Sequence, residues 1–263
     1  MTPDPSRSGL IHGLEERLYH SGPELSVSGA KDLLRAPALF KHNRANPRTS
    51  DAFDLGSVVH TLALGTGWPF EVIDGGRGKT ERVEAARAAG KTPITKDDFV
   101  LAEAMAQAVL DHPYAGAVFA SDGEAEVSLF WDAQATDGTV IPCRGRVDWL
   151  HPAALVDLKT ARDASPAGFT RAAATLKYGM QAAAYQQAYT ACTGDTAPPF
   201  LFIAVDKDAP HLVLVAELDQ SFLDAGARQW QDALDLYAAC TATGEWGGYG
   251  DQVHVLQAPR WAA

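Results

Sequence analysis

Long apolar runs are missing from this chain of 263 residues. None reaches the ~18 to 20 consecutive residues that a helix needs to cross a bilayer. The opening MTPDPSRSG is polar and Pro-rich and shows no secretory pattern, so a soluble cytoplasmic protein without a membrane partner is expected. Cysteine is scarce. Cys143, Cys192 and Cys240 are far apart and form no CxxC pair, which argues against a zinc ribbon or a four-cysteine iron–sulfur cluster. Reduced and mostly buried thiols are expected instead. There are no internal repeats, and no Gly-rich phosphate loop or dinucleotide motif supports an acidic metabolic enzyme with no nucleic-acid role.

Positive charge is also short. The chain has 22 Lys+Arg against 33 Asp+Glu, a net charge of −11. The deficit is uneven: residues 1–100 are balanced at 13 of each sign, so the remainder holds the whole excess. Two N-terminal stretches are locally basic. One holds Lys31, Arg35, Lys41, Arg44 and Arg48, with Asp32 among them. The other holds Arg77, Lys79, Arg82, Arg87, Lys91 and Lys96, against Glu81 and Glu84. Either could form a local phosphate track on an acidic protein, or be an ordinary solvated face.

What is present is a change of texture. The first part reads as helical: a short helix near Leu14–Tyr19, a helix over AKDLLRAPALF capped by Ser26 or Ser28 and interrupted at Pro37, and FDLGSVVHTLAL capped by Asp51 or Asp54. Gly65–Thr80 reads as loop, 81–92 as a helix, and Thr95 caps KDDFVLAEAMAQAVLDHP, which ends near Pro113. After that, EAEVSLFWD, VIPCRGRVDWL, ALVDLKTA, PFLFIAVDK and HLVLVAEL are strands, with one long helix over 166–192 and a last one over 220–243. Val253–Leu256 reads as a short strand. The order predicts an α/β sheet flanked by helices in one domain, 1–263, with a mainly helical part over 1–113 and a sheet-and-helix core over 114–263.

The chemistry concentrates in two strands. In ALVDLKT, alternation places Asp157 and Lys159 on one face, with Val156 and Leu158 on the other. A two-residue turn at Pro152–Ala153 sets Leu150 opposite Leu155 and Asp148 opposite Asp157, with Cβ atoms roughly 5 Å apart. Two like charges so placed need an offset, and a divalent cation such as Mg²⁺ or Mn²⁺ supplies one. Lys159 beside it could orient or deprotonate a water, or stabilise a developing phosphorane charge. The plainer alternative is a surface ion pair between Asp157 and Lys159, with Asp148 a solvated turn residue.

Over roughly 19–240 the chain resembles the exodeoxyribonuclease VIII (RecE-type) branch of the PD-(D/E)xK nuclease superfamily, in its RecB-like subgroup. The likeness begins at YHSGPELSVSGAKDLLRAPALFKH. DLGSVVHTLAL resembles a Gly-x-x-x-His helix motif and gives Gly56 and His60. AEVSLFW gives Glu126, with Glu124 as a neighbouring candidate. RGRVD gives Asp148, DLKT gives Asp157 and Lys159, and YGMQAAAY resembles a Gln-x-x-x-Tyr motif and gives Gln181 and Tyr185. The resemblance implies a restriction-endonuclease-like mixed sheet flanked by helices, with an N-terminal helical elaboration. It implies a metal held by His60, Asp148, Asp157 and the Leu158 carbonyl, with Glu126 on a second metal or a water. Gln181 and Tyr185 share a helix face and are implied to touch the site or the DNA; Lys177, Tyr178, Arg144 and Arg146 are further candidates for phosphate or carboxylate contacts. The implied activity is Mg²⁺- or Mn²⁺-dependent 5′→3′ exonuclease action on double-stranded DNA ends, leaving 3′ tails for recombination. N-terminal basic helices would frame the DNA, a single-strand annealing protein would be a partner, and a homo-oligomer would be the assembly. An endonuclease or single-strand nuclease of the same superfamily, or an inactive DNA-binding module of the same fold, are the competing readings.

Overall fold

A computed structural model describes residues 8–46, 51–75 and 81–258. Arg48, Arg77 and Lys79 of the two basic stretches lie outside the described residues. The chain opens with β1 (Gly9–Ile11), α1 (Glu16–Ser21) and β2 (Leu25–Ser26), which runs straight into α2 (Val27–Arg35). Ser26 caps α2, its hydroxyl accepting from the Gly29 N–H at 3.1 Å. Ala36 is extended, as a residue before proline prefers, and Pro37 starts α3 (Pro37–Ala45) where its missing N–H costs nothing.

Next come α4 (Asp51–Leu64), β3 (Phe70–Ile73), α5 (Glu81–Ala88), β4 (Thr92–Thr95), α6 (Lys96–Asp111) and α7 (Pro113–Phe119). α4 begins at Asp51, so Asp54 lies inside the helix and takes an ion pair from Arg87 at 2.7 Å. β3 and β4 pair in parallel as a separate two-stranded sheet. This corrects the reading of 65–80 as loop, of which 76–80 lie outside the described residues, and of 81–92 as wholly helical: FEVI and TPIT are too short to announce themselves. Thr95 caps α6 as expected. Pro113 opens a further helix as well as closing one, with His112 Nδ1 accepting from the Ala115 N–H.

The core elements follow: β5 (Glu124–Gln134), β6 (Val140–His151), β7 (Ala154–Ala161), α8 (Pro166–Thr175), α9 (Tyr178–Thr193), β8 (Phe200–Asp206), β9 (Val213–Glu217) and α10 (Gln220–Thr243). The helix expected over 166–192 is therefore two, broken where Lys177 takes a left-handed φ of +54°. Val253–Leu256 forms no strand, and its apolar side chains are exposed.

The seven-stranded sheet runs β1-β5-β6-β7-β8-β9, with β2 also on β6. It is mixed: β7 and β8 are parallel, β2 joins β6 in parallel, and the other pairs are antiparallel. Alternation sorts its side chains into two cores. Leu155, Phe200, Phe202 and Ala204 face α2, α8, α9 and α10, whereas Val156, Leu158, Leu201, Ile203 and Val205 face α4 and α6. Cys143 and Cys240 are buried free thiols and Cys192 is half-buried. No helix among the described residues is long and apolar enough to cross a membrane.

Candidate active site

Strand pairing decides where the site lies. β6 and β7 pair at His151↔Ala154, Leu150↔Leu155 and Trp149↔Val156, and there the ladder stops. The turn register is the one the sequence predicts, but Asp148 and Asp157 do not form the next rung. β7 turns away to pair with β8 over its whole length, while β2 takes the same edge of β6 farther along, at Cys143 and Arg144. Between them β6 has an open stretch, and the two strands splay.

Side chains fill this gap in place of a ladder. The Leu158 N–H donates to Asp148 Oδ2 at 2.6 Å. The Arg146 N–H donates to the Tyr185 hydroxyl at 3.3 Å. Tyr185 reaches it because residue 145 is glycine: a Cβ there would stand 2.7 Å from the Tyr185 ring. Gln181, one turn earlier on α9, donates to Asp157 Oδ1 at 2.5 Å. Asp157 Oδ2 is buried without a hydrogen-bond donor, and is met only by the Lys159 ammonium in an ion pair.

On the other side of Asp148 stands β5. Its register with β6, Ala125↔Trp149 and Val127↔Val147, makes Glu126 the opposite of Asp148, yet that rung is absent and Glu126 has φ +57°. His60 comes from α4 in the other helical layer, with Nδ1 3.5 Å from Asp148 Oδ2. His60, Glu126 and Asp148 bring ligand atoms within 4.8 Å of one another. Gly56 lies one turn before His60, with Thr160 Oγ1 3.7 Å from where its Cβ would be.

The charge balance is under tension. Burial and then the Asp157 charge push Asp148 up to about 6, although His60 opposes the shift. Burial, then Asp148 and Glu16, push Glu126 up to about 9. A divalent cation would relieve this. Two carboxylates and an imidazole are a fitting donor set for Mg²⁺ or Mn²⁺; Asp157 is not one of the three, its Oδ2 being held by the Lys159 ammonium. Burial alone would lower the Lys159 ammonium, but Asp157 and Asp148 outweigh it and raise its pKa, so it is charged.

Several sequence candidates take clear places. Arg146 is buried and its guanidinium is committed: to Glu16 at 2.6 Å, Ser128 at 3.0 Å, the Leu14 carbonyl at 2.8 Å and the Tyr19 ring at 4.3 Å, with Glu126 at 3.7 Å. It pairs with carboxylates and holds Glu126. Arg144 binds the carbonyls of Tyr19 and Gly22. Glu124 pairs with His12 at the surface, away from the cluster. The described part of the second basic stretch is tied up internally: Arg82 and Lys96 pair with Asp74, Arg87 with Asp54 and Lys91 with Glu71. That weakens its standing as a phosphate track.

Two residues went unnoticed as site residues in the sequence. Glu16 reaches the cluster through Arg146, and no local pattern marks it. Lys31, on α2, belongs in the sequence only to a basic stretch. Its ammonium lies 5.4 Å from the Tyr178 ring centroid, and that of Lys159 lies 5.2 Å from the same centroid. Burial, then the like charge of Lys159, push Lys31 down to about 7. A cation–π contact returns on the order of 2 kcal/mol, less than the several kcal/mol that a desolvated ion loses.

Among solved structures, a crystal structure from Eubacterium rectale described as a "Putative exonuclease" is similar, with a TM-score of 0.61 at 17% identity over 91% of this chain and 88% of that one. At that identity the likeness shows the fold alone. The structure of SSO0001 matches with a TM-score of 0.32 at 15% identity, over 70% of this chain and 85% of that one, and carries no argument. A comparison with curated proteins finds no match. Residues 26–259 match the profile of a family described as a PDDEXK-like domain of unknown function. With the splayed strands, the mixed sheet and this match over most of its length, the chain belongs to that family, DUF3799.

Proposed function

We propose that this protein is a divalent-metal-dependent DNA nuclease. The observation that carries the reading is that His60, Glu126 and Asp148 bring ligand atoms within 4.8 Å of one another where the β6–β7 ladder ends, with the Asp157–Lys159 pair on the adjoining stretch of β7. In this reading His60, Glu126 and Asp148 hold the cation, with Asp157 Oδ2 and the Leu158 carbonyl as the remaining protein donors. Bound Mg²⁺ or Mn²⁺ supplies a water of lowered pKa and a Lewis acid for the phosphate oxygens.

The chain's own residues do the rest. Gln181 fixes the rotamer of Asp157 through Oδ1 and leaves Oδ2 to the Lys159 ammonium. Asp148 is held by the Leu158 N–H and Glu126 is held by Arg146. Lys159 keeps its proton and faces the same point, so it serves as a fixed positive charge for the phosphorane's developing negative charge. Tyr185 closes the open edge of β6 and so keeps the gap from collapsing.

The ordered motifs, from Gly56 and His60 to Gln181 and Tyr185, support the RecE-type branch within this reading. The substrate is then a double-stranded DNA end, cut 5′→3′ to leave a 3′ tail, with a single-strand annealing protein as partner and a homo-oligomer as the working form. Digestion of linear duplex labelled at either the 5′ or the 3′ end, beside circular and single-stranded DNA, tests this. Early release of the 5′ label from linear duplex alone is the expected result. Cutting of circular DNA would instead make the protein an endonuclease, and no metal-dependent cutting of any DNA would overturn the nuclease reading.

A further inference from the structure

We propose that Lys31 is a phosphate-gripping residue of this site, holding with Lys159 one phosphate of the bound DNA strand above the Tyr178 ring. The inference rests on the nuclease reading and adds a residue that no motif supplies.

The fold delivers Lys31 to the gap. β2 occupies the edge of β6 next to the open stretch, and α2 starts at the very next residue. α2 packs on α10 and α9 in the same layer that Asp157 and Lys159 face. Tyr178 gives the pair a rigid floor. Its ring is stacked on Phe202, with centroids 5.4 Å apart and planes at 21°, and lies 5.6 Å from the Phe169 ring. It stands at the first position of α9, directly after the left-handed Lys177, and that break sets where the ring lies.

The pairing pattern points to an anion. Lys159 has Asp157 as its counter-charge, and Arg82, Arg87, Lys91 and Lys96 each have a carboxylate of their own. Lys31 has no ion-pair partner among the described residues, although it is half-buried and stands near a second ammonium, and the Asp157 charge that acts on it is already paired with Lys159. Charge buried in that way is costly until an opposite charge arrives. A phosphodiester carries one negative charge and can take donors from two ammonium groups at once, each acting as a point charge. Arg146 cannot serve, because its donors are spent on Glu16, Ser128 and the Leu14 carbonyl.

The test compares wild type with Lys31→Met and Lys31→Arg. Binding of a short linear duplex is measured in EDTA across a salt series, followed by cleavage with Mg²⁺ and by thermal melting. Lys31→Met should bind roughly tenfold more weakly, with a salt slope shallower by about 0.9, as expected for one lost phosphate contact. Its cleavage loss should appear mainly in KM, Lys31→Arg should recover most of the binding, and neither protein should melt below wild type. Lys31→Met with wild-type affinity and slope would overturn the proposal. So would a loss of binding that comes with a lowered melting temperature and is not recovered by Lys31→Arg, which marks a structural lysine. A wild type that neither binds nor cuts DNA would overturn the nuclease reading as well, whereas a wild type that cuts normally beside an unchanged Lys31→Met would remove this inference alone.

Discussion

Asp148 and Asp157 sit on neighbouring strands and carry different loads. Asp157 has Gln181 and Lys159 to hold its charge, while Asp148 is desolvated by burial and has one backbone N–H, a half-buried imidazole and the more distant Lys159 to set against the like charge of Asp157. The folded value of about 6 for Asp148 lies above its ordinary 3.8. The folded state therefore holds a proton that the unfolded chain has lost between those values. The contribution is fully present below the ordinary value and is lost as pH rises through 6. In the metal-free protein, Asp148→Asn should thus raise stability by on the order of 2 kcal/mol at pH 8, with the gain fading toward pH 4; denaturant unfolding at the two pH values checks this. No gain at pH 8 would mean that the Asp148 charge is already offset. Tyr185→Phe leaves the Arg146 N–H without its acceptor and should cost about 1–3 kcal/mol. Equal stability of that variant would show that water serves the N–H as well.

At the level of elements, the strand parity of ALVDLKT and the Pro152–Ala153 turn were legible, and Leu150↔Leu155 is the register they imply. The end of the ladder at Trp149↔Val156 was not. It depends on β2 taking the β6 edge and on the Asp148 carboxylate taking the Leu158 N–H, which are tertiary facts without a local signature. Gln181 and Tyr185 could be placed on one face because their spacing is a helical turn. The break at Lys177 could not, since neither proline nor glycine stands at 175–177 and the left-handed lysine is imposed by packing. Glu16 and Lys31 reach the site from α1 and α2, far away in sequence, so only the fold brings them in. Two glycines make sharp tests of element packing. Gly145→Ala drives a Cβ into the Tyr185 ring and should cost about 1–3 kcal/mol. Gly226→Ala puts a Cβ 2.1 Å from the Gly179 carbonyl carbon, where α9 and α10 cross backbone to backbone, so it should cost at least as much. Thermal melts of both variants against wild type check the order.

Across the whole molecule, the site draws on both helical layers: His60 from the α4 side, Gln181 and Tyr185 from the α9 side, and the carboxylates from the sheet between them. A cation held there would tie the layers together. Saturating Mn²⁺ should raise the melting temperature by the equivalent of ~2.7 kcal/mol at a hundredfold excess over Kd. His60→Ala should lose much of that rise, and an equal rise in the variant would remove His60 from the ligand set. Under the proposed function, the net charge of −11 would make DNA approach a local matter, with attraction at the gap set against repulsion elsewhere. All of this hangs on Asp157 and Lys159 acting in phosphodiester hydrolysis. The most direct measurement is Mg²⁺-dependent degradation of linear duplex DNA by wild type, Asp157→Ala and Lys159→Ala, each with its fold verified by circular dichroism. The account predicts robust degradation by the wild type and a loss of at least a hundredfold in both folded variants, on the scale seen when a group that stabilises transition-state charge is removed. Wild-type degradation that persists undiminished in Asp157→Ala would contradict it.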